Sequence, residues 1–287
     1  MISAKKQTLS KQLDQFYTNP VYADSFYNTV KSLVDTTHAD ILLEPSAGTG
    51  NFYNLLDVNK RIGLDLDPKC AGVINHDFLT WVPDNEKIVY TIGNPPFGKN
   101  SSLAVKFFNH AASFSEVIAF VIPRTFRKAS IINRLHCNFH LLYDETVPDN
   151  SFIFNNNNYN VWCCAQIWVK KDTKRKKIKI LKLSQFTDFF EIVEPNQADF
   201  SIQRVGGAAG LIRTTDFAKF SKQSHYFIKQ KHPDTLDVFK DINFEDVKYN
   251  TAGNPSISPS EMLELWKQAA KKRNISITFG NNLFQEG

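Results

Sequence analysis

Cysteine is scarce in this chain, and its spacing excludes more than its number does. The 287 residues hold 4 cysteines, Cys70, Cys137, Cys163 and Cys164, and no C-x-x-C pair. Neither the cysteines nor the 7 histidines fall at zinc-ligand spacing, so no metal site is read. Cys163 and Cys164 lie in an apolar run, 161–169, and read as two strand cysteines on opposite faces. The expectation is a reducing, cytoplasmic setting without a structural disulfide. No run of about 18 apolar residues occurs, and residues 1–12 are polar, so neither a membrane span nor a signal peptide is read. No internal repeat stands out. Charge of one sign is not abundant: 34 Lys and Arg face 29 Asp and Glu, a net +5. That excess does not by itself require a nucleic-acid partner; a local basic patch counts for more.

What is present is an ordinary globular balance, 42% hydrophobic and 22% charged, with 24 Phe to fill a core. Strand-like stretches near 40–44, 61–65, 73–77, 87–93 and 116–122 alternate with helical spacing over 21–34, 101–112 and 127–134, and a helix start is read from Asn51. That alternation predicts an α/β, Rossmann-like, doubly wound parallel sheet. Two more strands, 139–146 and 161–170, are joined by too short a link for a helical crossover, so they are expected to pair antiparallel.

Four successive strand ends carry chemistry. After 40–43 comes Glu44-Pro45-Ser46-Ala47-Gly48-Thr49-Gly50, a small-residue turn that lets a ligand approach the backbone. The fingerprint G-x-G-x-x-G of a dinucleotide oxidoreductase is not completed, because position 53 is Tyr. The strand 61–64 ends in Asp65, where such folds bind a ribose diol. A third end carries Asn75-His76-Asp77-Phe78, an acid to accept from an amino group beside an aromatic. The fourth is Asn94-Pro95-Pro96-Phe97. It reads either as a rigid Pro-Pro turn or as a holder for a planar amino group. Asn94 offers a carbonyl acceptor, the prolines present carbonyls with few competing donors, and Phe97 offers a stacking face.

These motifs, in this order, resemble the class I S-adenosylmethionine-dependent amino-methyltransferases that methylate adenine N6. The resemblance covers roughly residues 12–170. It implies a seven-stranded sheet with an antiparallel terminal hairpin and S-adenosylmethionine as cofactor. Glu44, Pro45, Gly48 and Gly50 would take the methionine part, Asp65 the ribose, and Asp77 with Phe78 the cofactor adenine. Asn94, Pro95, Pro96 and Phe97 would form the catalytic motif, with Asn94 also beside the cofactor. Gln15-Phe16-Tyr17-Thr18-Asn19-Pro20 resembles the segment that closes over the cofactor, with Tyr17 and Thr18 in contact with it. The order of motifs implies a catalytic domain over 1–170 and a substrate or target-recognition region over 171–287. The implied partner is nucleic acid, DNA ahead of RNA. The same tetrapeptide also serves protein glutamine, and a non-catalytic subunit or a partner subunit remains among the readings.

Three further segments have two readings each. The loop 147–160 holds Phe152, Phe154 and Tyr159 among four asparagines. Either its aromatics pack back on the domain, or Phe152 or Tyr159 covers the second face of a flipped base, a contact worth roughly 1–3 kcal/mol. The basic run 170–179, with Lys174 and Arg175, is either a solvated turn or a border of a substrate cleft in contact with phosphates. The glycine-rich segment 202–210 around Arg204 is either a turn between strands or a loop against a nucleic-acid backbone. A helix is expected from Pro259 to about Lys272, capped by Ser258.

Overall fold

The apolar runs of the first half assemble into one mixed sheet with helices on both faces. The computed structural model describes residues 16–84 and 86–277. Its elements run, in chain order, β1 (Tyr17–Thr18), α1 (Pro20–Leu33), β2 (Ile41–Glu44), β3 (Arg61–Asp65), β4 (Ile74–Asn75), β5 (Val89–Gly93), α2 (Ser102–Ala111), β6 (Ser115–Pro123), α3 (Ala129–Ile132), β7 (Phe139–Thr146), β8 (Phe152–Phe154), β9 (Asn157–Tyr159) and β10 (Cys163–Lys170). Seven strands pair in the order β4-β3-β2-β5-β6-β10-β7. All neighbours from β4 to β6 are parallel, and β10 is antiparallel to both β6 and β7. The expected doubly wound sheet with its antiparallel hairpin is therefore the observed fold.

Alternation along β6 explains why the sheet is covered twice. Val117, Ala119 and Val121 join one buried cluster with Tyr22, Phe26 and Val30 of α1; Ile118, Phe120 and Ile122 join another with Ala104, Phe108 and Ala111 of α2. Period 2 in the strand meets a three- and four-residue period in each helix. Cys163 and Cys164 likewise fall into opposite clusters. None of the described helices is long and apolar enough to cross a membrane.

Three local expectations need correction. No α-helix starts at Asn51; the chain makes only a 3-10 turn at Tyr53–Leu55. Phe52, Leu55 and Leu56 do pack into the core, but only ten residues separate Gly50 from β3, so the chain turns back after one short turn. The helix expected over 127–134 shortens to α3, because Lys128 is extended (φ −80°, ψ 136°) and separates α3 from the 3-10 turn Arg124–Arg127. The loop 147–160 contains the hairpin β8–β9. Asn155 and Asn156 turn it with φ of 49° and 61°, the left-handed conformation that a tight two-residue hairpin turn requires and that asparagine tolerates. β1 adds to β8 as a third strand, Tyr17 opposite Ile153 and Thr18 opposite Phe152.

The chain divides after Ile178 into two units, Met1–Ile178 and Lys179–Gly287. In the second, β11 (Phe190–Ile192), β12 (Phe200–Gln203), β13 (Ile212–Arg213) and β14 (His225–Gln230) form an antiparallel sheet in the order β11-β14-β12-β13. α4 (Thr235–Lys240), α5 (Glu245–Lys248) and α6 (Pro259–Lys272) accompany it. One sheet face buries Phe200, Ile202, Tyr226 and Ile228 with Phe190, Phe239 and Trp266. α6 has the expected bounds, and Ser258 and Glu261 close a reciprocal cap at its start.

Candidate active site

The carboxyl ends of β2, β3, β4 and β5 surround a cavity of about 370 Å³, lined among others by Thr18, Glu44, Pro45, Gly48, Asp65, Asp77, Phe78, Asn94 and Pro96. Its position is the one that parallel topology favours, since the order of strands reverses beside β2 and opens a crevice there.

The glycine turn is tied to its neighbours. The Gly48 N–H donates to Asp65 Oδ2 at 2.7 Å, and Asp65 Oδ1 accepts from the Asp67 N–H at 2.8 Å. Gly48 has φ +49°, and a Cβ there would sit 2.6 Å from the Tyr17 ring. A side chain is excluded on both grounds, and Tyr17 lies directly over the turn. Gly50 lies outside the cavity lining; it has φ +82° and a Cβ on it would meet Cys70 Sγ at 2.5 Å, so backbone conformation and packing both call for glycine. Asp77 Oδ1 accepts from the Leu79 N–H at 2.9 Å. Phe78 borders the cavity but is buried against Phe107 and His110, each with ring centroids 4.9 Å away. Gln15 lies outside the described residues.

Three buried acceptors of the cavity lining have no hydrogen-bond partner among the described residues: Thr18 Oγ1, Glu44 Oε2 and Asn94 Oδ1. Buried polar atoms are ordinarily paired, so three open ones around a single cavity mark places for ligand donors. Burial pushes the Glu44 carboxyl well above the ordinary carboxylate range, aided by the nearby charge of Asp65 and opposed by a backbone hydrogen bond from Tyr53. Asn94 is held from two sides. Its Nδ2 donates to the Phe16 carbonyl at 3.0 Å, and its own carbonyl accepts from Ser46 Oγ at 2.9 Å. Asn51 Nδ2 donates to the Thr18 carbonyl at 2.6 Å, fixing β1 to the glycine turn.

Phe16, Ser46 and Asn51 fall inside segments that the motif reading singles out, but that reading gives none of the three a role of its own. Ser46 and Asn51 stand inside the glycine segment itself, where small polar residues at the strand end are the available signal. Phe16 acts through its main chain, which leaves no trace in residue type.

The substrate-side residues separate. Pro95 is buried. Phe97 is half-buried against the core, and its carbonyl accepts from the N–H groups of Leu103 and Ala104 at the start of α2. Phe152 is fully buried in the core shared with α1, so it has no face to offer a base; alternation in β8 turns it inward. Tyr159 is 43% exposed and stacks on Phe16 at 4.9 Å and 14°. Lys174 is exposed. Arg175 is not a free cation for phosphates: its guanidinium donates to the carbonyls of Ile132, Leu135 and Phe139 at 2.6, 2.9 and 3.1 Å and lies 5.7 Å from the Trp168 ring. In the second unit, Arg204 lies over the Tyr226 ring at 5.0 Å with Nε buried. The glycine segment after it joins β12 to β13.

No protein-family model and no curated protein matches the chain. Among solved structures, similar ones include a provisionally assigned RNA methyltransferase from Pyrococcus horikoshii (18% identity, TM-score 0.43, 55% of this chain and 88% of that one). A provisionally assigned class I S-adenosylmethionine-dependent methyltransferase from Listeria monocytogenes matches at 14% identity and TM-score 0.42, over 56% of this chain and 63% of that one. The 23S rRNA methyltransferase ErmE matches at 14% identity and TM-score 0.38, over 53% of this chain and 69% of that one.

Proposed function

We propose that this protein is an S-adenosylmethionine-dependent methyltransferase acting on the N6 amino group of adenine in DNA. The observation that carries this reading is the buried, unpartnered Asn94 Oδ1 at the end of β5, beside a cavity whose other open acceptors are Glu44 Oε2 and Thr18 Oγ1. The cavity volume is within the range of small-molecule sites. S-adenosylmethionine, when bound, supplies an electrophilic methyl group on a sulfonium sulfur.

Glu44 would accept from the cationic amino group of the methionine part and Asp65 from the ribose diol. Asp77, with Phe78 at the cavity border, would hold the cofactor adenine. On the substrate side, Asn94 Oδ1 and the Pro95 carbonyl each accept one hydrogen of the exocyclic amino group. Holding both hydrogens in the plane of the acceptors draws the nitrogen lone pair out of conjugation and toward the incoming methyl. Positioning supplies most of the rate. The methylated nitrogen is acidic and releases its proton without a strong base, so the reaction does not call for a catalytic histidine. Lys174 and the neighbouring lysines of the basic run contact phosphates, and the second unit, with Arg204, supplies target contacts.

The test is to incubate the protein with methyl-labelled S-adenosylmethionine and, separately, duplex DNA, single-stranded DNA, total RNA and protein extract. Label in the DNA arms supports the proposal. Label in RNA alone moves the same chemistry to another substrate, and label in protein alone replaces adenine with a glutamine amide.

A further inference from the structure

An asparagine amide is ambiguous as an acceptor. Half a turn about its last bond exchanges the carbonyl oxygen for an NH₂ group of nearly the same shape. Methyl transfer to an amino group needs the oxygen of Asn94, because a second NH₂ facing the substrate would offer donors to donors. Ser46 Oγ fixes the Asn94 main chain but is indifferent to that exchange. The group that decides it is the Phe16 carbonyl, which accepts from Asn94 Nδ2 at 3.0 Å and so leaves Oδ1 as the open atom.

Phe16 is itself clamped. It enters β1, which pairs with β8. Its ring stacks on Tyr159 at 4.9 Å and 14° and leans on Phe154 at 5.3 Å and 52°, and those two rings meet each other at 5.9 Å. The three rings form a closed cluster between the hairpin β8–β9 and the residue whose carbonyl holds the asparagine. Offset aromatic contacts of this kind add to the stabilisation that buried area alone gives.

Resting on the amino-methyltransferase reading, we propose that Phe16 is a positioning residue for Asn94. The hairpin holds the Phe16 ring, the Phe16 carbonyl sets the Asn94 amide, and Tyr159 acts through Phe16 rather than on the substrate base. Because Phe16, Tyr17 and Thr18 also line the cavity, the segment that covers the cofactor is the segment that orients the acceptor. Loss of its order removes both functions together.

The test uses the full-length protein and its Phe16→Ala, Tyr159→Ala and Tyr159→Phe variants. One readout is the side-chain NH₂ signal of Asn94 by ¹⁵N NMR, assigned by its loss in Asn94→Asp. The others are calorimetric affinity for S-adenosylmethionine and tritiated methyl transfer to genomic DNA and total RNA. In the unsubstituted protein the Asn94 NH₂ protons should exchange slowly with solvent. Phe16→Ala and Tyr159→Ala should shift that signal, speed its exchange and lower kcat about tenfold, a barrier change of roughly 1.4 kcal/mol, with little change in nucleic-acid KM. Tyr159→Phe, which keeps the ring, should restore both signal and rate. Tyr159 is 43% exposed and outside the buried core, so its variants carry the test if Phe16→Ala does not fold. An unmoved Asn94 signal in Phe16→Ala or Tyr159→Ala overturns the inference. So does a Tyr159→Ala protein with raised KM and unchanged kcat, because that places the ring on the substrate. The NMR readout needs no substrate. Hence a protein with the expected Asn94 signal but no transfer to either nucleic acid fails at the underlying reading of function, and the inference falls with it.

Discussion

Gly48 N–H and Asp65 Oδ2 are joined at 2.7 Å, a charge-assisted hydrogen bond that, with the bond from the Ala47 N–H to the Leu64 carbonyl at 2.8 Å, fastens the glycine turn after β2 to the end of β3. The bond gives Asp65 two tasks. It holds the turn, and on the proposed function its remaining lone pairs would accept from a ribose diol.

Asp65→Ala should therefore weaken S-adenosylmethionine binding by more than the removal of one ligand hydrogen bond alone. A hydrogen bond to a charged group contributes roughly 1.5–3 kcal/mol, so a loss of about tenfold or more in Kd is expected. Asp65→Asn, which keeps acceptor and shape, should lose less. Calorimetric titration of the two variants checks both the size and the order.

Glu44 should give the proposed cofactor site a pH dependence whose sign follows from its burial. Its carboxyl is held well above the ordinary range, so the folded protein keeps this proton where the unfolded chain releases it. Stability of the ligand-free protein should then fall as pH rises from the ordinary carboxylate range through the raised value. Glu44→Gln should flatten that fall in a series of melting curves. A cationic ligand group favours the carboxylate, so S-adenosylmethionine affinity should rise over the same pH interval, with proton release detectable by calorimetry in buffers of different ionisation enthalpy. Glu44→Gln should abolish that release and weaken binding.

The basic run should split into two kinds of residue. Arg175 donates to three main-chain carbonyls, so Arg175→Ala should destabilise the protein by roughly 1.5–3 kcal/mol, read as a lowered unfolding midpoint. Replacing Lys174, Lys176 and Lys177 with Ser should leave the midpoint nearly unchanged. It should weaken DNA binding similarly on all sequences and flatten its salt dependence, by close to one unit of slope for each phosphate no longer neutralised. An unchanged salt slope returns this run to a solvated turn.

The sheet is legible in the sequence because buried parallel strands are short apolar runs ending in residues of distinct chemistry. Glu44, Asp65, Asp77 and Asn94 each stand at or just after such an end, which is why one cavity gathers them. The hairpin is harder to read. Asn155 and Asn156 resemble a polar loop until their left-handed backbone shows them to be a turn, and that turn sends Phe152 into the core while Tyr159 stays outside. Arg175 misleads for another reason. A cation in a lysine-rich run looks solvated, and only the fold brings the carbonyls of Ile132, Leu135 and Phe139 to it. In the second unit the strand-like run 224–229 reads through to β14, and the cap Ser258-Pro259-Ser260-Glu261 of α6 is a local signal. That unit's sheet is built from strands with long separations and no motif at their ends.

The measurement that bears most directly on the central claim is mass spectrometry of nucleosides released from DNA after reaction with S-adenosylmethionine carrying a trideuterated methyl group. The unsubstituted protein should yield trideuteromethyl label on adenine N6. Asn94→Ala should yield none while still binding S-adenosylmethionine measurably, since Glu44 and Asp65 remain in the cavity and only the bond from Asn94 Nδ2 to the Phe16 carbonyl is lost with the acceptor. Label on a ring carbon, or an Asn94→Ala protein that turns over at the full rate, would contradict the account.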